Sequence, residues 1–217
     1  MNNPNDKAGT PSAFQQMAEE ARRICGDDPH REGVPEKIMA LMTEAFKKDE
    51  VREAALQNLK NGRDLFGSNA QPGFGIMGVE SKEIGYREPH DHENCWAVNV
   101  QVRGDMRLVH WIKDSKDEET GDIVLRKVDE VMMHPGDVDY SAPGIAHELY
   151  PQTDDSVELA VRCHSLTEII QHRYDRSTGE YINWSWGRKE AVGGGKFTTV
   201  NAENEPAPLS SMTSRVK

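Results

Sequence analysis

The chain has 217 residues, a length that suits one domain with terminal additions and leaves room for a substantial core. Its formal net charge is -11, and no cluster of lysine and arginine supplies a basic face, so nucleic acid and anionic membrane surfaces are poor partners. No apolar run is long enough for a signal-peptide core or a membrane span. The only cysteines are Cys25, Cys95 and Cys163, with no Cys-x-x-Cys, which fits reduced thiols in a cytosol better than a disulfide framework.

Residues 1 to 11 are polar and expected to be disordered. Residues 12 to 62 read as helical. A first helix runs from about Ser12, its N-cap, to Cys25; a second from about Pro35 to Leu59 places Ile38, Leu41, Met42, Ala45 and Phe46 on one stripe. From Phe74 the pattern turns to short strands broken by Gly, Pro and Asp: Phe74 to Glu80, Trp96 to Val102, Met106 to Ile112, Ile123 to Val128 and Ser156 to Cys163. These predict an all-β core within a domain spanning residues 63 to 188, with the helices packed on it. Lys113 to Asp122 reads as a solvated hairpin loop. Beyond Trp186 the chain becomes Gly193-Gly194-Gly195 and then polar, so residues 189 to 217 are expected to form a flexible tail.

The chemistry concentrates in Glu88-Pro89-His90-Asp91-His92. In a strand alternate residues face one side, so His90 and His92 can share a cavity while Asp91 points away. His147 follows the Pro143-Gly144 turn, where a strand begins and a side chain can be aimed inward. Three neutral imidazoles hold a first-row divalent ion and leave positions open, an arrangement suited to catalysis. Taken alone, a His-x-His pair is more often a partly exposed polar pair. The surrounding spacing decides between the readings.

Gly85 lies five residues before His90, Gly104 follows the next strand, Gly136-Asp137 marks a turn, and Gly144-x-x-His147 closes the pattern. These resemble the two motifs of the cupin superfamily. The resemblance implies a double-stranded β-helix jelly roll, here preceded by α-helices, with His90, His92 and His147 on one metal. The glutamate usual in cupins is absent: Trp96 and Ala97 stand in its place. Phe74-Gly75-Ile76-Met77, His90-Asp91-His92, Gly104 and Trp111 further resemble the cysteine dioxygenase family of thiol dioxygenases, over about residues 35 to 170. That family binds Fe(II) through three histidines and adds both atoms of O2 to a thiol. Fe(II) is therefore the expected cofactor, with Zn, Ni, Mn and Cu also compatible with imidazole ligands.

Carried over residue by residue, Arg63 stands where the family has an arginine that grips the substrate carboxylate; a surface arginine is the alternative. Ala160, Arg162 and His164 fall where it has an outer-sphere Ser-His-Tyr set, and Ala97 where some members have a crosslinked cysteine. These departures argue against cysteine itself as substrate. Arg162 and His164 share a face by period-two alternation. If that face is inward, His164 supplies acid-base chemistry and Arg162 neutralises an anionic substrate; otherwise they satisfy core or rim hydrogen bonds. Tyr86, Tyr140 and Trp96 are candidates for the cavity wall, Tyr86 also for catalysis. Cys95 and Cys163 read as buried thiols, and His110, His134 and His172 receive no role. The expected function is a dioxygenase acting on a small anionic substrate and O2, a thiol giving a sulfinate. A carbon-carbon cleaving dioxygenase, a metal-dependent lyase or isomerase, and a non-catalytic ligand-binding cupin are the alternatives. A homodimer is expected by analogy alone.

Overall fold

The computed structural model describes residues 12–62, 64–66, 74–164, 166–201 and 213–216. The expected disorder of residues 1 to 11 lies outside them. Helix α1 (Ala13–Cys25) starts where the sequence places it, because Ser12 and Gln15 form a capping box. Ser12 Oγ accepts from the Gln15 amide at 3.2 Å, and Gln15 Oε1 accepts from the Ser12 amide at 3.0 Å. The expected second helix is two, α2 (Val34–Phe46) and α3 (Asp49–Leu59). Lys48 turns to an extended conformation between them, and Asp49 and Glu50 open a new first turn. The Arg52 guanidinium fastens the corner, donating to the Phe46 carbonyl and the Asp49 carboxylate. Neither Lys47 nor Lys48 is a helix breaker, so local sequence carries no sign of this bend.

The strands are β1 (Asp64–Phe66), β2 (Gly75–Glu80), β3 (Arg87–His90), β4 (Ala97–Arg103), β5 (Met106–Lys116), β6 (Ile123–Met133), β7 (Val138–Ser141), β8 (Ala146–Pro151), β9 (Val157–Arg162), β10 (Ile170–Asp175), β11 (Glu180–Ser185), β12 (Glu190–Val200) and β13 (Thr213–Val216); a short helix, α4 (Ser81–Ile84), precedes β3. One sheet has the order β1-β2-β9-β4-β7-β13. The other closes into a barrel, β10-β11-β12-β6-β5-β8-β3. Val98, Val100 and Val102 of β4 and Val157, Leu159 and Val161 of β9 face α1 to α3, in a core with Phe14, Ile38, Met42 and Phe46. Their alternates, Asn99, Gln101, Glu158 and Arg162, are buried on the opposite face. Both strands are therefore enclosed on two sides.

That opposite face meets β3, β8, β5 and β6. The space between is largely polar, with Met106, Leu108, Met133 and Leu149 forming an apolar plug. The outer face of β5, β6 and β8 is covered in turn by β10 to β12, around Val109, Trp111, Leu125, Tyr174, Tyr181 and Phe197. The expected loop from Lys113 shortens accordingly, since β5 runs to Lys116 and β6 begins at Ile123.

The expected tail from residue 189 is corrected over Glu190–Val200. This segment is strand β12, antiparallel to β11 and parallel to β6 through Phe197↔Ile123. The glycine run reads as flexible but has a packing role: a Cβ on Gly194 would lie 2.3 Å from the Tyr181 carbonyl oxygen. Gly104 is constrained in a similar way. It sits at φ +67°, and a Cβ there would lie 2.2 Å from Thr153 Oγ1 and 2.8 Å from Ser156 Cα. Gly104→Ala is expected to lower stability by at least about 1–3 kcal/mol. A fall in the urea midpoint at constant m-value is the readout, and an unchanged midpoint contradicts this account.

Candidate metal centre

His90 ends β3, pairs with His147 of β8, and His92 follows two residues later in a turn rather than in the strand. The three imidazoles meet inside the jelly roll. His90 Nε2 and His147 Nε2 are 3.0 Å apart, and the ring centroids of the three pairs are 4.4 to 5.4 Å apart. One nitrogen from each lies within 4.8 Å of the others. Among the described residues no carboxylate joins the group, in keeping with the missing cupin glutamate.

The hydrogen bonds around the rings prepare lone pairs for a cation. His90 Nδ1 donates to the Glu88 carbonyl at 2.9 Å, which leaves Nε2 unprotonated. His147 Nδ1 stands 3.3 Å from the Asn99 amide and 3.5 Å from Ser141 Oγ. As placed, Asn99 Oδ1 is buried without a partner; exchanging the amide nitrogen and oxygen makes it the acceptor of His147 Nδ1–H. Two lone pairs then face one another at 3.0 Å, a repulsive arrangement that a cation relieves. Ligands about 2.1 Å from one ion at right angles are about 3.0 Å apart, so the spacing suits cis positions on a metal. His92 Nδ1 is also buried without a hydrogen-bond partner. The three residues thus form a site that can hold a metal ion.

Burial disfavours charge on all three rings. It lowers the His90 pKa to about 4, and His92 and His147 are held well below the usual histidine range by burial first and neighbouring histidines next. Arg162 adds to the effect on His92. Since the unfolded chain takes up these protons near pH 6.5 and the folded chain does not, metal-free stability falls as pH drops below about 6.5; the His90 contribution levels off once that ring titrates, while those of His92 and His147 continue to lower pH. A thermal melt of metal-free protein at pH 5 is expected well below that at pH 7.5.

Asp91 points away from the site, although it lies beyond the end of β3. Its carboxylate accepts from His172 Nδ1 at 2.7 Å and from the Glu93 amide at 3.0 Å, and so ties the ligand segment to β10. Arg162 lies in the jelly-roll interior, 3 % exposed, with Nη2 3.8 Å from Met77 Sδ. The structure does not bring the other candidates to the histidines. Trp96 and Tyr140 face the helical layer; the Trp96 indole donates to the Pro29 carbonyl at 2.9 Å. Tyr86 sits on the far side of the second sheet, donating to Glu148 at 2.5 Å and stacked on Tyr150. His164 lies beyond the end of β9, so strict alternation from Arg162 no longer holds, and it meets His30 instead. Arg63 lies outside the described residues.

Sequence reasoning missed His110. It is fully buried with Nε2 2.9 Å from Asp139 Oδ2 and 3.3 Å from Ser141 Oγ, next to His147. Period-two counting from Leu108 would have turned it inward. A buried carboxylate cluster was also unforeseen: Glu148 accepts from Tyr86, Tyr150 (2.6 Å), Trp111 (3.0 Å) and Arg176 (2.6 Å).

No protein-family model and no curated protein matches the chain. Solved structures do. The formate complex of Lactobacillus farciminis oxalate decarboxylase is 20% identical over 44% of this chain and 25% of its own, with a TM-score of 0.29. A hydroquinone 1,2-dioxygenase, PnpCD, bound to Cd2+ and 4-hydroxybenzonitrile, is 11% identical over 46% of this chain and 61% of its own, at 0.35. A double mutant of the QdtA 3,4-ketoisomerase from Thermoanaerobacterium thermosaccharolyticum is 20% identical over 50% and 63%, at 0.30. The chain thus spans about a quarter of the oxalate decarboxylase it matches. Likeness at this level carries no function. The fold class rests on the strand order and facing sheets described above: an all-β jelly roll preceded by α-helices. No helix among the described residues is long and apolar enough to cross a membrane.

After loading with Fe(II), His90→Ala and His147→Ala are each expected to abolish iron retention on dialysis. Asn99→Ala, which removes only the partner of His147, is expected to weaken affinity about 10–100-fold. Metal content by plasma mass spectrometry and competition with a chromogenic chelator separate the two outcomes.

Proposed function

We propose that this chain is a non-haem Fe(II) dioxygenase that adds both atoms of O2 to a small anionic substrate, a thiol giving a sulfinate. The observation that carries the reading is a set of three neutral imidazoles without a carboxylate, in an interior that also holds the Arg162 guanidinium. Bound iron would supply the redox chemistry that couples O2 to the substrate. His90, His92 and His147 would hold it and add no negative charge, so its dipositive charge favours an anionic donor such as a thiolate.

The chain's own residues bind and orient. Arg162 presents a buried positive charge to an anionic group, where a guanidinium can fork two hydrogen bonds onto a carboxylate. His110 and Asp139, linked through Ser141 to His147, hold that ligand's orientation. The Arg87–Glu158 ion pair spans the same interior. His164 and Tyr86 stand away from the three histidines, so the acid-base role falls to no residue proposed from the sequence. Arg63, outside the described residues, stays in this proposal as a second carboxylate-binding group.

The test is O2 uptake by anaerobically iron-loaded protein across thiols, diketones and hydroxy-aromatics, with product mass spectrometry. One O2 consumed per thiol and a gain of two oxygen atoms is the expected result. Arg162→Met is expected to raise KM about tenfold or more while the metal stays bound. Turnover without O2 on zinc- or manganese-loaded protein would move the assignment to a lyase or isomerase. Absence of uptake with every substrate class overturns the dioxygenase.

A further inference from the structure

A second group of ligand-type side chains lies on the other side of the first sheet, where β9 gives way to Cys163 and His164. Arg162 faces the jelly-roll interior, whereas Cys163 turns into the helical layer. There it meets the loop between α1 and α2. His30 Nε2 is 3.0 Å from His164 Nε2 and 3.8 Å from Cys163 Sγ, and the three donor atoms all lie within 4.8 Å of one another. The head-on approach of two Nε2 atoms repeats the 3.0 Å separation of His90 and His147. Donors about 2.0–2.1 Å (nitrogen) and about 2.3 Å (sulfur) from one tetrahedral ion stand about 3.3 Å (N···N) and about 3.6 Å (N···S) apart. The two separations that His30 makes differ from these by a few tenths of an ångström.

We propose that His30, Cys163 and His164 bind a zinc ion, with water in the fourth position, separately from the all-histidine centre. A thiolate with two imidazoles selects zinc over the harder ions that oxygen ligands prefer. The thiol of Cys163 points at Cys95 Sγ, 3.0 Å away; on metal binding its proton passes to solvent and sulfur turns to the ion, one proton released per zinc. The loop that carries His30 is already held here through Pro29 and the Trp96 indole, so the third ligand arrives on an anchored segment. The ion would tie the α1–α2 loop to the exit of β9. This site does not depend on the dioxygenase reading.

Cobalt(II) reports on it directly, because a thiolate ligand gives a near-ultraviolet charge-transfer band that the all-histidine centre cannot. Full-length protein kept reduced by a phosphine is titrated with Co(II) without air. In His90→Ala, with the all-histidine centre disabled, the band is expected to saturate at one ion per chain and to disappear on adding one equivalent of zinc, and it is expected to persist in Cys95→Ser. Cys163→Ser should remove it. His30→Ala, a change on an exposed loop, should weaken it at least tenfold while circular dichroism and the melting profile stay native-like. No charge-transfer band in the reduced protein, or one that survives Cys163→Ser, overturns the site.

Discussion

The polar interior of the jelly roll is the constraint around which the rest of the structure is arranged. Between the two facing sheets lie three histidine ligands, the His110–Asp139 pair, the Arg87–Glu158 pair, Arg162, Asn99 and Gln101, nearly all buried. Such groups contribute little net stability, since each gives up water for its partners. Apart from the Met106, Leu108, Met133 and Leu149 plug, the apolar burial that stabilises the fold is therefore placed outside the sandwich. One core lies between the first sheet and the helices, the other between the second sheet and β10 to β12. The helices and the C-terminal strands are the main carriers of apolar stability, and the jelly roll supplies the frame for the site.

This arrangement also accounts for the rigidity of the ligands. His90 is fixed by the Glu88 carbonyl and by cross-strand pairing with His147, His147 by Asn99 and Ser141, and the segment between His90 and His92 by Asp91 on β10. Each ligand is thus held from a different layer. Asp91, which points away from the three histidines, connects the centre to the outer barrel.

The sequence made the centre more legible than its surroundings. The three histidines could be read because their spacing and turns are local. The helix boundary at Ser12 was legible through its cap, and five strand cores through their β-branched runs. The break at Lys48 was not, because it depends on a tertiary contact from Arg52. Strand β12 was not, because a Gly193-Gly194-Gly195 run signals flexibility until the Tyr181 backbone beside it is known. Alternation put Arg162 and His164 on one face without saying which; Arg162 lies in the interior, whereas His164, beyond the end of β9, parts from it. Trp96, a candidate for the cavity wall, instead shares the helical face with Val98, Val100 and Val102. His110 and Asp139 escaped notice because each is an ordinary polar residue until the two sheets bring them together.

The parallel pairing of β12 with β6 has a consequence for synthesis on the ribosome. Ile123 finds its partner Phe197 only after more than seventy further residues have been made. Until then β6 presents an unpaired edge, and Trp111 and Leu125 lack the apolar cover that β10 to β12 provide. Nascent chains in this interval carry the features that recruit chaperones and promote edge-to-edge association. The cover that protects this edge thus comes from strands far along the chain from the three histidines.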